Sequence, residues 1–331
     1  RDLHLSLRRQ RQMCIRDSNE AKHMRIVRET HINFMSQRKV ASLLSAIIIL
    51  SGLVSLLING GPKLSIDFKG GTIVSVQYNE DMDITAVREA LSTIDIDGQV
   101  FDFSNEEVKY FGSNSDVMIK IKSFENEPKN FGQGVINNIY ETMNNKAPED
   151  KNEFVLSLGT VSPKVGTELS GKALWSIVSA LVLILFYISI RFEFRFAIGA
   201  ILALVHDILI TLGIFSLTGY EITLSTIAAF LTIVGYSLND TIVILDRIRE
   251  NMKSSGTVMF ENTINKSINQ SLGRTLITSL TTLLVIIVLL IYGGEIIRPF
   301  AFTMMVGVII GTYSSIYIAS GFLASIYKSS N

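Results

Sequence analysis

ITLSTIAAFLTIVGYSLND, residues Ile222 to Asp240, carries no charge until its last position. About 20 apolar residues rising 1.5 Å each cross the hydrocarbon core as a helix, so this stretch, continued to Leu245, predicts a membrane span. A carboxylate in such a helix costs about 2.5–3.5 kcal/mol on insertion scales and marks an ion or proton path. Asp240, beside Asn239, therefore puts transport ahead of other function classes.

Working outward, the other apolar runs, charge-free apart from Asp207, are Val40–Ile58, Ala173–Ile190, Phe196–Thr218, Thr275–Tyr292 and Pro299–Tyr327. With Ile222–Leu245 they predict six spans and place both termini on one side. Lysine and arginine are retained in the cytoplasm. Arg25, Arg28, Arg38 and Lys39 precede the first span, Arg191 and Arg195 join the second to the third, and Arg247, Arg249, Lys253 and Lys266 lie between the fourth and fifth. The opposite loops, 219–221 and 293–295, hold no basic residue. The termini are thus expected inside, with 24–39 as a cytoplasmic N-terminus, the first span at 40–58 and the remaining five spans and a cytoplasmic C-terminus in 173–331.

Segment 59–172 is then outside, and its pattern changes. Thr72–Tyr78 alternates like a strand, Ile84–Ile94 spaces its apolar residues like a helix, and Val100–Phe103 and Val117–Ile121 read as strands. Phe131–Met143 predicts a second helix and Phe154–Leu158 a last strand. That order is βαββαβ, the ferredoxin-like order, and a unit of about 100 residues can bury its own core. The fold class expected is a six-helix membrane bundle with an inserted α+β ferredoxin-like periplasmic domain.

Composition narrows the function. Among 331 residues 48% are hydrophobic, yet 30 basic and 30 acidic residues remain, clustered outside the spans. Net charge is zero, which argues against a nucleic-acid partner. Cys14 is the sole cysteine and no Cys/His cluster has metal spacing, so disulfide chemistry and structural metal fall away. Gly70-Gly71 lacks Walker spacing and precedes a strand, so it predicts a tight turn rather than a nucleotide loop. Residues 1–23 are polar and arginine-rich with no secretory h-region, and are read as a non-native or disordered extension.

Four motifs carry a resemblance. They are Ile66-Asp67-Phe68-Lys69-Gly70-Gly71-Thr72; Val161-Ser162-Pro163-Lys164-Val165-Gly166; Val234 to Thr241, leading to Asp246-Arg247-Ile248-Arg249-Glu250-Asn251; and Ser271 to Thr275 followed by Thr278 to Thr282. In this order the chain from Met24 onward resembles the SecD/SecF family of bacterial protein-export membrane subunits, within the resistance-nodulation-division superfamily. Ser65 departs from the pattern, since many relatives carry glycine there, and leaves the local turn open. The resemblance implies half of a proton-driven machine in the inner membrane that pulls exported polypeptide outward. It implies as partners a SecD-like subunit, the SecYEG channel, unfolded polypeptide and membrane lipid, with YajC a further candidate. It implies no organic cofactor and no enzymatic activity; protons are the coupling ion, with sodium left open.

Within the family the fourth-span aspartate and fifth-span arginine are tied to proton movement, and here they match Asp240 and Arg274. Asp240 lies six residues before Asp246, roughly 9 Å from that end, and Arg274 opens the fifth span, so the opposite charges are expected to pair. A carboxylate that loses such a partner takes up a proton more readily. Asp207 lies 12 residues beyond Arg195, roughly 18 Å deep and near the midplane, and is the secondary candidate; His206 beside it is read as structural. Asp246, Arg247, Arg249 and Glu250 are expected to cap the fourth helix. Gly307, Gly311 and Ser315, and Ala228, Thr232 and Gly235, are expected to allow close helix approach, and Pro299 to open the sixth span.

Rival readings are a scaffold subunit, half of a small-molecule transporter, and an intramembrane aspartyl protease. The last lacks the Tyr-Asp and Gly-x-Gly-Asp contexts at Asp207 and Asp240.

Overall fold

The computed structural model describes residues 30–191, 193–255 and 260–329; the extension at 1–23 and Arg25 and Arg28 lie outside them. The chain opens with α1 (Arg38–Ile58), which stops where Gly60 and Gly61 take φ of 70° and 118°. A single turn at Ile66–Lys69 leads to an α/β unit: β1 (Gly71–Gln77), α2 (Ile84–Ala90), β2 (Ile94–Ile96), β3 (Gln99–Phe101), β4 (Glu107–Phe111), β5 (Ser113–Lys122), α3 (Phe131–Thr142) and β6 (Val155–Val161). There follow α4 (Pro163–Arg191), α5 (Phe194–Thr218), α6 (Leu224–Ser255), α7 (Phe260–Tyr292) and α8 (Gly294–Ser314), then a π turn at Ser315–Ala319 and α9 (Ser320–Ser329). Among the described residues six helices are long and apolar enough to cross a membrane, α8 and α9 counting as one continuous span.

The main sheet has order β4-β5-β1-β6, all pairs antiparallel. That is the ferredoxin-like arrangement, but one strand differs from expectation. Residues 99–101 pair with Ile94–Ile96 in a separate hairpin, and the second strand of the sheet is β4. Asp97 and Gly98, with φ of 54° and 79°, make the tight hairpin turn that closes β2 on β3. In β4 only Val108 is buried, so the period-two signal that marks a half-buried strand is weak there. The helix expected to reach Ile94 ends as a 3-10 turn at Leu91–Thr93.

Helices outrun their apolar windows. The predicted start at Ala173 moves back to Pro163, the start at Thr275 to Phe260, and the end at Leu245 forward to Ser255. Once nucleated, a helix propagates through polar sequence at little cost. Proline opens α4 at its first position, where no N–H is missed, whereas Pro299 lies inside α8, contrary to expectation, because the turn at Gly293-Gly294 starts that helix a full turn earlier. Asp246, Arg247, Arg249 and Glu250 likewise sit within α6 and do not cap it.

Glycines set the helix crossings. A Cβ on Gly52 would lie 2.5 Å from Gly213 Cα, so α1 and α5 touch backbone to backbone. Gly307 and Gly311 do meet α6, where added Cβ atoms would reach Ile233 at 2.3 Å and Ser237 Cβ at 3.0 Å. The α6 face that meets them is Ala229, Ile233 and Ser237. Ala228, Thr232 and Gly235 are exposed instead. A missing side chain on one helix admits a bulky one opposite, so small residues are not required on both.

Candidate functional site

Two carboxylates are buried between the membrane helices, and hydroxyl groups hold both. Asp240 on α6 is 3% exposed and accepts from Ser279 Oγ of α7 at 3.1 Å. Ser279 Oγ is also 2.7 Å from Thr312 Oγ1 of α8. Arg274 is exposed, more than one helical turn before Ser279 on α7, and no ion pair within 4.0 Å joins it to Asp240. The expected pairing is therefore open in this conformation, and a neutral hydroxyl takes its place. The reason is the shape of α7, which directs Ser279 into the bundle and Arg274 out of it.

Asp207 on α5 is 1% exposed. Its Oδ2 accepts from Ser237 Oγ of α6 at 2.5 Å and Ser314 Oγ of α8 at 2.9 Å, and its Oδ1 lies 2.9 Å from His206 Nδ1. His206 Nε2 is 2.9 Å from Ser45 Oγ of α1, which is 2.9 Å from Tyr313 Oη of α8. Tyr313 stacks on the His206 ring at 5.9 Å. The helix register explains the meeting. α1 and α5 run parallel, and Ser45–His206 and Ser55–Ser216 are bonded pairs with the same sequence separation of 161, two turns before and one turn after the Gly52–Gly213 contact. The π turn immediately after Ser314, with Ser320 Oγ donating to the Ser315 carbonyl at 3.0 Å, is a distortion often found beside functional groups.

The two acids share a frame. Ser237 and Asp240 are one turn apart on α6, and Thr312 and Ser314 are near neighbours on α8, so each helix serves both carboxylates. Sequence reading found the two acids but not Ser45, Ser237, Tyr313 or Ser314. Only Ser237 carried a signal, three residues before Asp240 in the same span; Ser45, Tyr313 and Ser314 reach Asp207 and His206 from other helices.

A second cluster joins the α/β unit to the bundle. Asp67 Oδ2 accepts from Leu224 N at 3.0 Å, capping the start of α6, and Thr223 Oγ1 caps Thr226 N at 3.1 Å. Ser65 N donates to the Ile222 carbonyl at 3.0 Å, and Ser65 Oγ accepts from Asp67 N at 3.2 Å, so serine here caps the Ile66–Lys69 turn. Gly70 and Gly71 have φ of 80° and 150°, and added Cβ atoms would strike Pro163 N at 2.7 Å and the Ile121 carbonyl at 2.4 Å. The glycines thus bring the turn against both the sheet and the first turn of α4.

Around it, Lys120 Nζ of β5 lies 3.4 Å from Glu221 Oε2 in the α5–α6 loop and 3.5 Å from Glu107 Oε1, while Lys63 Nζ is 3.3 Å from Glu221 Oε1. Burial pushes the Glu107 carboxyl up, but the Lys109 bond, the Lys120 and Lys109 charges and the contact with Glu221 outweigh it and hold it at about 2.

At the other end of α6, Asp246 pairs with Arg191 of α4 at 3.2 Å and with Arg249 at 2.9 Å, and Arg247 pairs with Glu250 at 2.8 Å. Asn239 is exposed on the outward face of α6 with Ala228, Thr232 and Gly235. Among the described residues, no three His, Cys, Asp or Glu side chains converge as metal ligands would.

Comparison with known proteins adds a family. A family described as protein export membrane protein SecD/SecF, C-terminal, matches residues 140–329, and the SecD/SecF GG motif matches residues 55–82, which include Asp67, Gly70 and Gly71. The protein translocase subunit SecF of Rhodothermus marinus is 44% identical over 90% of this chain and 94% of that protein. The protein translocase subunit SecF of Calditerrivibrio nitroreducens is 40% identical over 89% and 94%. Among solved structures, SecDF of Thermus thermophilus, a translocon-associated membrane protein, is similar at a TM-score of 0.75 and 33% identity over 91% of this chain and 39% of that one. SecDF in a super-membrane-facing form gives 0.64 and 33% over 92% and 40%. The chain spans about two fifths of those SecDF chains.

Proposed function

Because the chain belongs to the SecD/SecF family of protein-export membrane proteins, as a subunit of the SecF type, we propose that it couples the proton-motive force to export of unfolded preproteins. It sits in the bacterial inner membrane with both termini cytoplasmic and the α/β unit periplasmic, and works with a SecD-like subunit beside the SecYEG channel; YajC is a further candidate partner. Protons are the coupling ion, and sodium is the alternative that an ion-exchange arm of the assay separates.

The observation that carries the proposal is Asp240: a carboxylate 3% exposed inside a membrane helix, held by one hydroxyl, with a cation-bearing residue on the adjacent helix left outside. A buried acid in a bilayer is costly and is kept where it does work. In this conformation Asp240 meets Ser279. In the alternate one the Arg274 guanidinium replaces the hydroxyl, and proton uptake and release at Asp240 follow that exchange. Moving one charge through 100 mV is worth about 2.3 kcal/mol, enough to bias a two-state movement.

Two features support a second, SecD-like half. Asn239 projects from the outward face of α6, where lipid would leave its amide unsatisfied. Strand β6 is an edge of the sheet, with Leu156 and Leu158 each 43% exposed.

Export into inner-membrane vesicles under an imposed gradient tests the proposal. Asp240→Asn and Arg274→Met are expected to abolish the gradient-dependent increment while the complex still assembles. Export by both variants equal to that of the parent protein would overturn the motor in favour of a scaffold.

A further inference from the structure

We propose that His206 and Asp207 form a second proton-binding site in the membrane core, holding one proton between them. Hydroxyl hydrogens fix this. Tyr313 Oη lies 2.6 Å from the Ala41 carbonyl oxygen, which can only accept, so the single phenolic hydrogen is committed there. Ser45 Oγ, 2.9 Å from the Tyr313 oxygen, is then the donor between those two hydroxyls. Its hydrogen spent, Ser45 can only accept from His206 Nε2 at 2.9 Å, which places a hydrogen on that nitrogen.

One contact is left, His206 Nδ1 to Asp207 Oδ1 at 2.9 Å. With Nε2 already protonated, this contact takes one further proton, as imidazolium facing carboxylate or imidazole facing carboxylic acid. Both forms have the same proton count and no net charge. Without that proton two lone pairs would face each other, and a pair only 6% and 1% exposed would carry an uncompensated negative charge.

The surroundings offer nothing else to balance such a charge. Ser45 comes from α1, Ser237 from α6, and Tyr313 and Ser314 from α8, with the Tyr317 ring 5.3 Å from that of Tyr313. Ser237 donates to Oδ2 at 2.5 Å, and Ser314 lies 2.9 Å from the same oxygen and 3.2 Å from the Gly311 carbonyl, so Oδ2 is the oxygen already served by hydroxyl hydrogen and the proton belongs on the Oδ1 side. Among the described residues no Lys or Arg pairs with Asp207. Arg38, at the start of α1, is taken up by Glu261 at 2.9 Å. The acid nearest along α6 is Asp240, one turn beyond Ser237 and bonded to Ser279, while Asp246 and Glu250 further along pair with Arg191, Arg249 and Arg247. The use of the proton in export rests on the proton-driven reading above; its presence does not. α6 connects the two, since a movement that withdraws Ser237 from Asp207 also moves Asp240.

Nitrogen NMR of histidine-labelled protein in detergent, with infrared spectra of the same samples, tests the site. His206 is expected to show hydrogens on both nitrogens, or an Nε2–H ring accompanied by a protonated carboxyl band that Asp207→Asn removes. Tyr313→Phe keeps the stacked ring but frees the Ser45 hydroxyl to turn toward Nε2, and is expected to lose the extra proton. A neutral His206 beside an ionised Asp207 in the parent protein overturns the proposal, as does a Tyr313→Phe spectrum identical to the parent's. These spectra need neither gradient nor export, so failure here leaves the Asp240 reading standing, and the reverse holds too.

Discussion

The α/β unit and the helix bundle are organised for opposite solvents. In the unit, Val117, Ile119, Ile139 and Phe154 are fully buried, and Phe101, Phe103, Phe124 and Phe131 form a cluster of stacked, tilted and edge-to-face rings with centroids 5.2–6.5 Å apart. The bundle turns Leu50, Leu183, Leu284 and Val288 outward and encloses Asp207, Thr211, Ser237, Asp240 and Ser314. In water, apolar burial stabilises by roughly 25 cal/mol per Å², whereas a lipid-facing helix gains nothing of the kind by hiding leucine. The bundle is held instead by close backbone approach and hydroxyl bonds. An acid that would wreck the unit's core is therefore tolerated in the bundle's.

That contrast can be broken most severely by truncating the unit's core. Phe154→Ala, at a side chain with no exposure and edge contacts to Tyr78 and Tyr140, should cost about 3–5 kcal/mol in denaturant unfolding of the unit while leaving the bundle helical by circular dichroism. The bundle's counterpart is addition, not deletion. Gly52→Val forces α1 from α5 and should cost about 1–3 kcal/mol, read as a fall in thermal stability in detergent and separation of a Ser45/His206 cross-link pair.

Between the regions, Asp67→Ala removes the cap on Leu224 and should cost about 1 kcal/mol, seen as faster hydrogen exchange in the first turn of α6. Ser279→Ala sharpens the bundle side, where a single interhelical bond is worth about 0.6 kcal/mol, and should barely move stability. The remaining effect is conditional on pH. Glu107 is held at about 2 against an ordinary 4.5, so its contribution is complete above 4.5 and lost as pH falls through 2; amide exchange at Ser65 and Ile222 should quicken only below 4.5.

The difference in solvent also explains what could be read in advance. Six long apolar runs announced the spans, four free of charge and two with a single aspartate, so Asp207 and Asp240 stood out because charge is rare in such runs. The ferredoxin-like order was legible from alternation in β1 and β5, but β4 was not, since a strand with one buried residue has almost no pattern. Ends of helices escaped because membrane thickness limits hydropathy, not hydrogen bonding, and α6 and α7 continue into water. The partners of the two acids escaped for another reason. A serine looks the same in sequence whether it bonds its own helix, as Thr232 does to Ala228, or a carboxylate across the bundle, as Ser237 does. The open distance between Asp240 and Arg274 is a property of one conformation, which composition and spacing do not encode.

The bond from Asp67 to Leu224 has a mechanical corollary. The linker leaving α1 holds the peptide plane that begins α6, and the paired glycines press the same turn onto the sheet and α4. A swing of the water-facing unit is thus felt first at the root of the helix bearing Asp240, with the carboxylate of Asp67 as the pivot.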